Sequence, residues 1–226
     1  MSQISETVST PTKSQPPSHV QLNAPAPDFE ANTTHGTIRL STWQPGKWVI
    51  LFSHPADFTP VCTTEFVEFA KAADNLERKN TVLLGNSIDS VFSHIAWVRN
   101  IEEKLGVPVR FPVIADLDQK VARAYGMVHE ACADTQTVRC VFIIDPKRTL
   151  RAMVYYPMSV GRNIDEIVRL VDALQVTDKH GVACPANWRP GEDVVVPPPK
   201  TTTDAAERVQ NREYQVTDWY LSKRRL

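Results

Sequence analysis

The chain has 226 residues, with 25 Lys and Arg side chains against 26 Asp and Glu and a formal net charge of −1. This balance offers no broad charged surface for nucleic acid or an anionic membrane, so we expect a small-molecule substrate. The sequence has no apolar run of membrane-spanning length, and its first residues lack the apolar block of a secretory signal. We therefore expect a cytoplasmic protein without a membrane partner.

Composition divides the chain into three predicted parts. Residues 1–20 are rich in Ser, Thr, Gln and Pro and contain a single Lys, which is typical of a disordered tail. Residues 21–181 carry alternating apolar patterns and are predicted to form one domain. Residues 182–226 are predicted to form a C-terminal arm.

The first strong elements are a strand at 47–53 (KWVILFS) and a helix at 63–76, whose apolar residues recur at three- and four-residue steps. Further along, strands are predicted near 81–89, 111–115, 138–145 and 150–156, and helices near 91–105, 119–125 and 163–176. For the helix near 91–105, we expect an apolar side formed by Phe92, Ile95, Ala96 and Val98. This alternation predicts an α/β fold.

The two late strands are separated only by the turn at 146–148, so we expect an antiparallel hairpin on a mixed sheet. Beyond Gly181 the frequent prolines exclude a long helix and favour an extended arm. Its aromatic residues would rarely remain in a free tail, so we expect the arm to pack on the domain or on a partner subunit. These aromatics are Trp188, Tyr214, Trp219 and Tyr220.

Cys62 lies where the strand at 47–53 gives way to the helix at 63–76. Pro60 is typical of a helix entry, and Thr63 to Glu65 suit a first turn. Unpaired N–H groups and the positive end of the helix dipole favour the thiolate of a cysteine at this place. A thiolate is a nucleophile, so Cys62 is the candidate reactive residue.

Residues 55–62, PADFTPVC, resemble the P-x-x-x-T-x-x-C signature of peroxiredoxins, thiol-dependent enzymes that reduce hydroperoxides. The resemblance extends over about residues 22–199, and FSHPADFTPVCTTEF is most similar to the 1-Cys branch, which carries a C-terminal arm. It implies a thioredoxin-like fold with a mixed central sheet, flanking helices and an extended C-terminal arm. It also implies homodimers, often in rings, and a chemistry that needs neither cofactor nor metal.

The resemblance assigns roles around Cys62. The Cys62 thiolate would attack H2O2 or a small organic hydroperoxide and become a sulfenic acid. Thr59 would hold a hydroxyl at the bound peroxide, and Pro55, which has no N–H, would shield the pocket from water. Arg139 would stabilise the thiolate and hold the peroxide oxygens.

Three further residues match positions that support this chemistry in the family. Glu65 would steer the arginines Arg139 and Arg162 into place. His54 either tunes Cys62 or is a structural hydrogen-bonding residue. Taken alone, Thr59 could be only a helix cap and Arg162 only a surface charge.

Cys184 is a departure from the 1-Cys pattern. The segment VACPANW resembles the V-C-P-A-x-W segment that holds the resolving cysteine of typical 2-Cys peroxiredoxins. Cys184 would then form a disulfide with Cys62 of the partner subunit, and a thioredoxin-like dithiol would recycle the enzyme. The alternative is a passive Cys184 and a strictly 1-Cys enzyme recycled by glutathione or another small thiol.

The remaining two cysteines are not predicted to take part in the reaction. Cys140 lies in the apolar run 138–144, where alternation points it away from the face of Arg139, and Cys132 is expected in a surface loop. A zinc site from His180 and Cys184 lacks a second ligand pair. The chain has no C-x-x-C motif, which disfavours a disulfide oxidoreductase, and no G-x-S-x-G motif, which disfavours a lipase. The non-enzyme alternative is a ring-forming chaperone.

Overall fold

The structure, a computed structural model, describes residues 20–132 and 135–226. The predicted disordered tail, apart from Val20, lies outside the described residues. Within the part of the chain that the structure describes, no helix is both long and apolar enough to cross a membrane.

The described residues form a large α/β unit followed by a smaller sheet. The strands are β1 (Glu30–Thr33), β2 (Gly36–Arg39), β3 (Trp48–Ser53), β4 (Thr81–Ser87), β5 (Val113–Ala115), β6 (Arg139–Ile144), β7 (Leu150–Tyr156), β8 (Val194–Val195), β9 (Gln215–Asp218) and β10 (Leu221–Arg224). The helices are α1 (Pro60–Arg78), α2 (Val91–Leu105), α3 (Lys120–Ala124), α4 (Ile164–His180) and α5 (Thr202–Gln210).

The main sheet has the order β2-β1-β5-β4-β3-β6-β7. Strands β3, β4 and β5 run parallel, whereas β6 is antiparallel to both β3 and β7. The predicted α/β class, mixed sheet and late hairpin are therefore confirmed. Along β3 successive side chains enter opposite core layers, as the pleat requires: Val49 and Leu51 face one cluster, and Ile50 and Phe52 face the cluster that contains Cys62.

Helix α1 follows β3 after a short loop and packs back on the sheet. It begins at Pro60, ahead of the predicted start at Thr63, because Pro60 occupies a first-turn position where no N–H bond is needed. Phe66 and Phe69 are buried on its inner face, and the ring of Phe69 stacks on Phe52 with centroids 4.1 Å apart. This packing fixes the start of α1, and therefore Cys62, against the end of β3.

The bounds of α2 are confirmed, but its predicted apolar side is only partly right. Val98 packs against the core cluster that contains Cys62, whereas Phe92, Ile95 and Ala96 are exposed in the single chain. The buried residues are His94, Trp97 and Ile101. These three recur at helical spacing, but the first of them is polar. His94 can be buried because its ring nitrogens have hydrogen-bond partners.

The arm is only partly extended. Residues 197–199 are prolines without regular structure, as predicted, but α5 follows them, and β8, β10 and β9 form a separate three-stranded sheet. Thr201 caps α5 by accepting a hydrogen bond from Asp204 N, which explains how a helix begins so soon after the prolines. Trp188 is buried with Val182 and Val194 against Ala173 of α4, so this part of the arm packs on its own domain.

Replacing Phe69 with Ala should remove the stacked ring that holds α1 on β3. We expect Phe69→Ala to lower the free energy of unfolding by about 3–5 kcal/mol, because a fully buried aromatic side chain would leave a cavity. Urea unfolding at a fixed protein concentration measures this difference. Phe92→Ala is the matched control, since Phe92 is 80% exposed, and equal losses in both variants would contradict this account of the core.

Candidate active site

Cys62 lies in the first turn of α1 and is fully buried. Thr59 is the N-cap residue, and its carbonyl accepts the hydrogen bond from Thr63 N. The N–H groups before Thr63 have no acceptor within the helix, and the helix dipole is positive at this end. The local backbone therefore favours negative charge at Cys62.

Arg139, the first residue of β6, makes the direct polar contact with the sulfur. Its Nη1 lies 3.3 Å from Cys62 Sγ and 2.7 Å from Glu65 Oε2. Its Nε and Nη2 donate to the carbonyl of Met158 at 2.9 and 2.7 Å. Since all three nitrogens are held, the guanidinium presents a fixed positive charge to the sulfur.

Glu65 links Arg139 to the second predicted arginine, Arg162. Glu65 Oε1 accepts from the backbone N and Nε of Arg162 at 2.8 Å each, and Oε2 accepts from Arg162 Nη2 at 2.7 Å. Burial opposes ionisation, but the charge and hydrogen bonds of Arg162, with the charge of Arg139, outweigh it and hold the pKa of Glu65 below its usual value. All three side chains are buried, so they form a charged cluster shielded from water.

Arg162 is also tied to the sheet. Its Nη1 donates to the carbonyls of Ser53 and Cys140 at 2.8 Å each, and its guanidinium lies over the rings of Phe52 and Phe69. Strands β3 and β6 therefore both fix the arginine that orients Glu65. Arg162 is 7% exposed, so it is not a surface charge.

Pro55 and Thr59 lie on the loop between β3 and α1, and Pro55 is buried. The Thr59 hydroxyl does not cap the helix; it donates to the carbonyl of Ala56 at 2.9 Å. Its proton is thus engaged, and its lone pairs are available to a donor that approaches Cys62.

His54 belongs to a buried polar cluster that the sequence did not indicate. Its Nε2 lies 2.8 Å from Asp57 Oδ1, and His94 Nδ1 lies 2.8 Å from Asp57 Oδ2. Polar atoms of these three residues lie within 4.8 Å of one another, as in a metal site. The helical spacing of His94, Trp97 and Ile101 could have indicated that His94 is buried. The signal is easily missed, because a histidine is not counted among the apolar residues of a helix.

Cys184 is not brought to Cys62 within one chain. It is half-buried against α4, with Sγ 3.8 Å from the carbonyl of Ala173, in a cluster separate from that of Cys62. Burial raises the pKa of the Cys184 thiol, although the charge of Arg169 acts in the opposite sense. In this position Cys184 is held as a thiol on the surface of its own domain.

The other two cysteines lie where the sequence predicts. Cys140 is buried in the opposite core layer from Cys62, and burial raises the pKa of its thiol to about 12. Cys132 is exposed in a loop. Neither sulfur contacts Arg139, so the guanidinium distinguishes Cys62 from both.

Family models match two parts of the chain. Residues 22–153 match the AhpC/TSA family, and residues 173–212 match the C-terminal domain of 1-Cys peroxiredoxin. The chain is also 52% identical to a peroxiredoxin of Aquifex aeolicus over 216 residues, covering 91% of this chain and 97% of the relative.

Solved structures agree with these matches. A yeast mitochondrial 1-Cys peroxiredoxin superposes with a TM-score of 0.81 at 40% identity, covering 92% of this chain and 100% of that one. Peroxiredoxin 6 of Arenicola marina superposes with a TM-score of 0.82 at 32% identity, covering 91% and 98%. The predicted thioredoxin-like fold is therefore confirmed. The chain belongs to the peroxiredoxin family, whose members are thiol peroxidases.

Proposed function

We propose that the protein reduces H2O2 and small organic hydroperoxides through Cys62. The observation that carries this proposal is the contact of Arg139 Nη1 with Cys62 Sγ, held in place by a carboxylate that Arg139 shares with Arg162. The thiolate is the form of cysteine that attacks an O–O bond, and a fixed positive charge and a helix start beside the sulfur are the features that favour it.

In the first step the Cys62 thiolate attacks the terminal oxygen of the hydroperoxide. The S–O bond forms as the O–O bond breaks, Cys62 becomes a sulfenic acid, and the departing oxygen takes a proton from solvent to leave as water or alcohol. Arg139 stabilises the charge that moves from sulfur to oxygen, because its donors are already oriented. Glu65 and Arg162 keep Arg139 in that orientation.

Thr59 and Pro55 complete the proposed peroxide site. Because the Thr59 hydroxyl already donates to the Ala56 carbonyl, its oxygen is free to accept the O–H of the hydroperoxide. Pro55 offers no N–H to compete for the peroxide and helps to exclude water from Cys62. His54 directly precedes Pro55 in the chain.

For the second step we propose a homodimer in which Cys184 of one subunit condenses with the sulfenic acid of Cys62 of the other, releasing water and forming a disulfide. A thioredoxin-like dithiol then reduces the disulfide. In this scheme residues 182–226 are the dimerisation region. Cys184 must leave its site on α4, where the hydrogen bonds between Ala183 and Val195 hold its segment, so the arm opens during the cycle.

The alternative is a 1-Cys cycle in which glutathione or another external thiol reduces the sulfenic acid. Two observations favour it: residues 173–212 match the 1-Cys C-terminal domain, and Cys184 is packed on its own domain. In the yeast mitochondrial 1-Cys peroxiredoxin, thiol resolution proceeds via glutathione and thioredoxin systems. Both reductants are therefore reasonable for this chain.

Replacing Cys62 with Ser should reduce peroxide consumption to the level of a protein-free control, since serine at this place cannot supply a thiolate. Peroxide loss in the presence of excess dithiothreitol measures this. Cys132→Ser is the matched control, because Cys132 is exposed and does not contact Arg139, and it should remain fully active. A Cys62→Ser protein that consumes peroxide like the wild type would rule out the proposed function.

One equivalent of H2O2 should convert the wild type to a disulfide-linked dimer if Cys184 resolves Cys62. Non-reducing electrophoresis with mass mapping identifies the bond, and Cys184→Ser should remain monomeric on the gel. A wild type that also remains monomeric, with Cys62 as sulfenic or sulfinic acid, would contradict the role of Cys184 and establish the 1-Cys cycle.

A further inference from the structure

We propose that Asp57 and His94 are positioning residues of the peroxide site: together they hold the loop that carries Pro55 and Thr59 and keep the proton of the His54 ring on Nε2. This inference rests on the proposed function of Cys62. Its evidence is a chain of hydrogen bonds that connects the loop to α2 and β5 and that lies entirely in the interior.

His94 of α2 bridges the loop and strand β5. Its Nδ1 lies 2.8 and 3.1 Å from the two oxygens of Asp57, and its Nε2 lies 3.0 Å from the carbonyl oxygen of Ile114 in β5. Both neighbours accept hydrogen bonds, so both contacts are satisfied when both ring nitrogens of His94 carry protons. The contacts with His94 and His54 thus give hydrogen-bond partners to the buried Asp57 carboxylate, which would otherwise lie in the core unsatisfied.

Asp57 is the centre of the chain of hydrogen bonds. Burial opposes its ionisation, but hydrogen bonds from His54 and His94 outweigh burial and hold the pKa of Asp57 well below its usual range. Its backbone N donates to Asp89 Oδ2 at 3.0 Å, so a second acidic side chain lies beside the loop. An ionised Asp57 accepts hydrogen bonds and cannot donate them.

The charge of Asp57 fixes the tautomer of the His54 ring. Because Asp57 only accepts, His54 Nε2 must carry the proton at their 2.8 Å contact. Burial lowers the pKa of His54, although Asp57 acts in the opposite sense, which favours a neutral ring with a bare Nδ1. This nitrogen is buried and has no hydrogen-bond partner among the described residues, so it is an acceptor on the residue that precedes Pro55.

The same hydrogen bonds constrain the backbone of the peroxide site. Asp57 lies between Pro55 and Thr59, so its bonds to His94 fix the middle of the loop that carries both. The next residue, Phe58, is held at φ 53°, a left-handed conformation that is uncommon for a bulky residue. Such a conformation persists only where surrounding contacts impose it, and the Asp57 contacts supply that constraint.

These contacts also argue against a resident metal. The polar atoms that join His54, Asp57 and His94 are paired at hydrogen-bond distances, and His94 Nε2 is engaged by Ile114. An ion would have to displace these bonds. The contacts among the three side chains therefore act as a hydrogen-bond network that positions the loop, with His54 Nδ1 as its one unpaired nitrogen.

Two reactions of Cys62, measured in Asp57→Asn and His94→Gln, test the proposal. Stopped-flow oxidation by H2O2 reports the oriented peroxide site, and alkylation by iodoacetamide reports whether the thiolate is present and accessible. We expect oxidation to slow by about 100-fold in both variants, because a displaced loop misplaces the groups that orient the peroxide, while alkylation stays close to wild type. Asp74→Asn and His35→Gln, at exposed positions, are the matched controls and should change neither rate.

Unchanged oxidation in both variants would overturn the proposal, and so would a parallel loss of oxidation and alkylation, which would indicate a merely structural role. If either variant does not fold, long-range ¹H–¹⁵N spectra of the wild type labelled with ¹⁵N-histidine decide the question. His54 should be neutral with its proton on Nε2, and a proton on Nδ1 would overturn the proposal. Each of these outcomes leaves the proposed function intact. Only peroxide consumption that persists in Cys62→Ser would rule out the proposed function itself.

Discussion

Glu65 carries a buried carboxylate that two arginines from distant parts of the chain share. Two buried guanidinium groups would repel each other and lose their hydration, so the site needs a negative charge between them. Removing one partner of a buried pair typically costs about 3–5 kcal/mol. Because Glu65 follows Cys62 by three residues, α1 places both side chains on one face, and the carboxylate that balances the arginines also aims Arg139 at the sulfur.

The central sheet makes this arrangement possible. Strand β6 lies antiparallel to β3, with Phe52 opposite Val141, so the start of β6 is beside the end of β3 where the loop to α1 begins. Arg139 therefore reaches Cys62, while the next residue, Cys140, points into the other core layer. Because side chains alternate along β6, Arg139 faces Cys62, whereas Cys140 is buried among apolar side chains on the other face of the sheet.

Much of this architecture could be predicted from the sequence because the signals are local. The strand-to-helix junction is identified by the apolar run at 47–53, by Pro60 and by the apolar stripe of α1. The β6–β7 hairpin is identified by the turn at 146–148. The contacts of Arg162 and Glu65 join residues far apart in the chain, and only the family resemblance suggested that they meet. Other parts could not be predicted because tertiary contacts override local pattern. His94 replaces Phe92 on the buried side of α2 since its nitrogens find partners outside the helix, and in the arm the prolines concealed a helix that begins soon after them.

Arg139, held by Glu65, is the group that we expect to make the Cys62 sulfur reactive toward peroxide. This expectation is tested by the second-order rate constant for oxidation of Cys62 by H2O2 in Arg139→Gln, followed by stopped-flow fluorescence, with Arg110→Gln at an exposed position as control. Loss of one preorganised donor should lower the rate constant by about 100- to 1,000-fold, whereas the control should match the wild type. An Arg139→Gln protein that reacts as fast as the wild type would show that the guanidinium does not activate the sulfur.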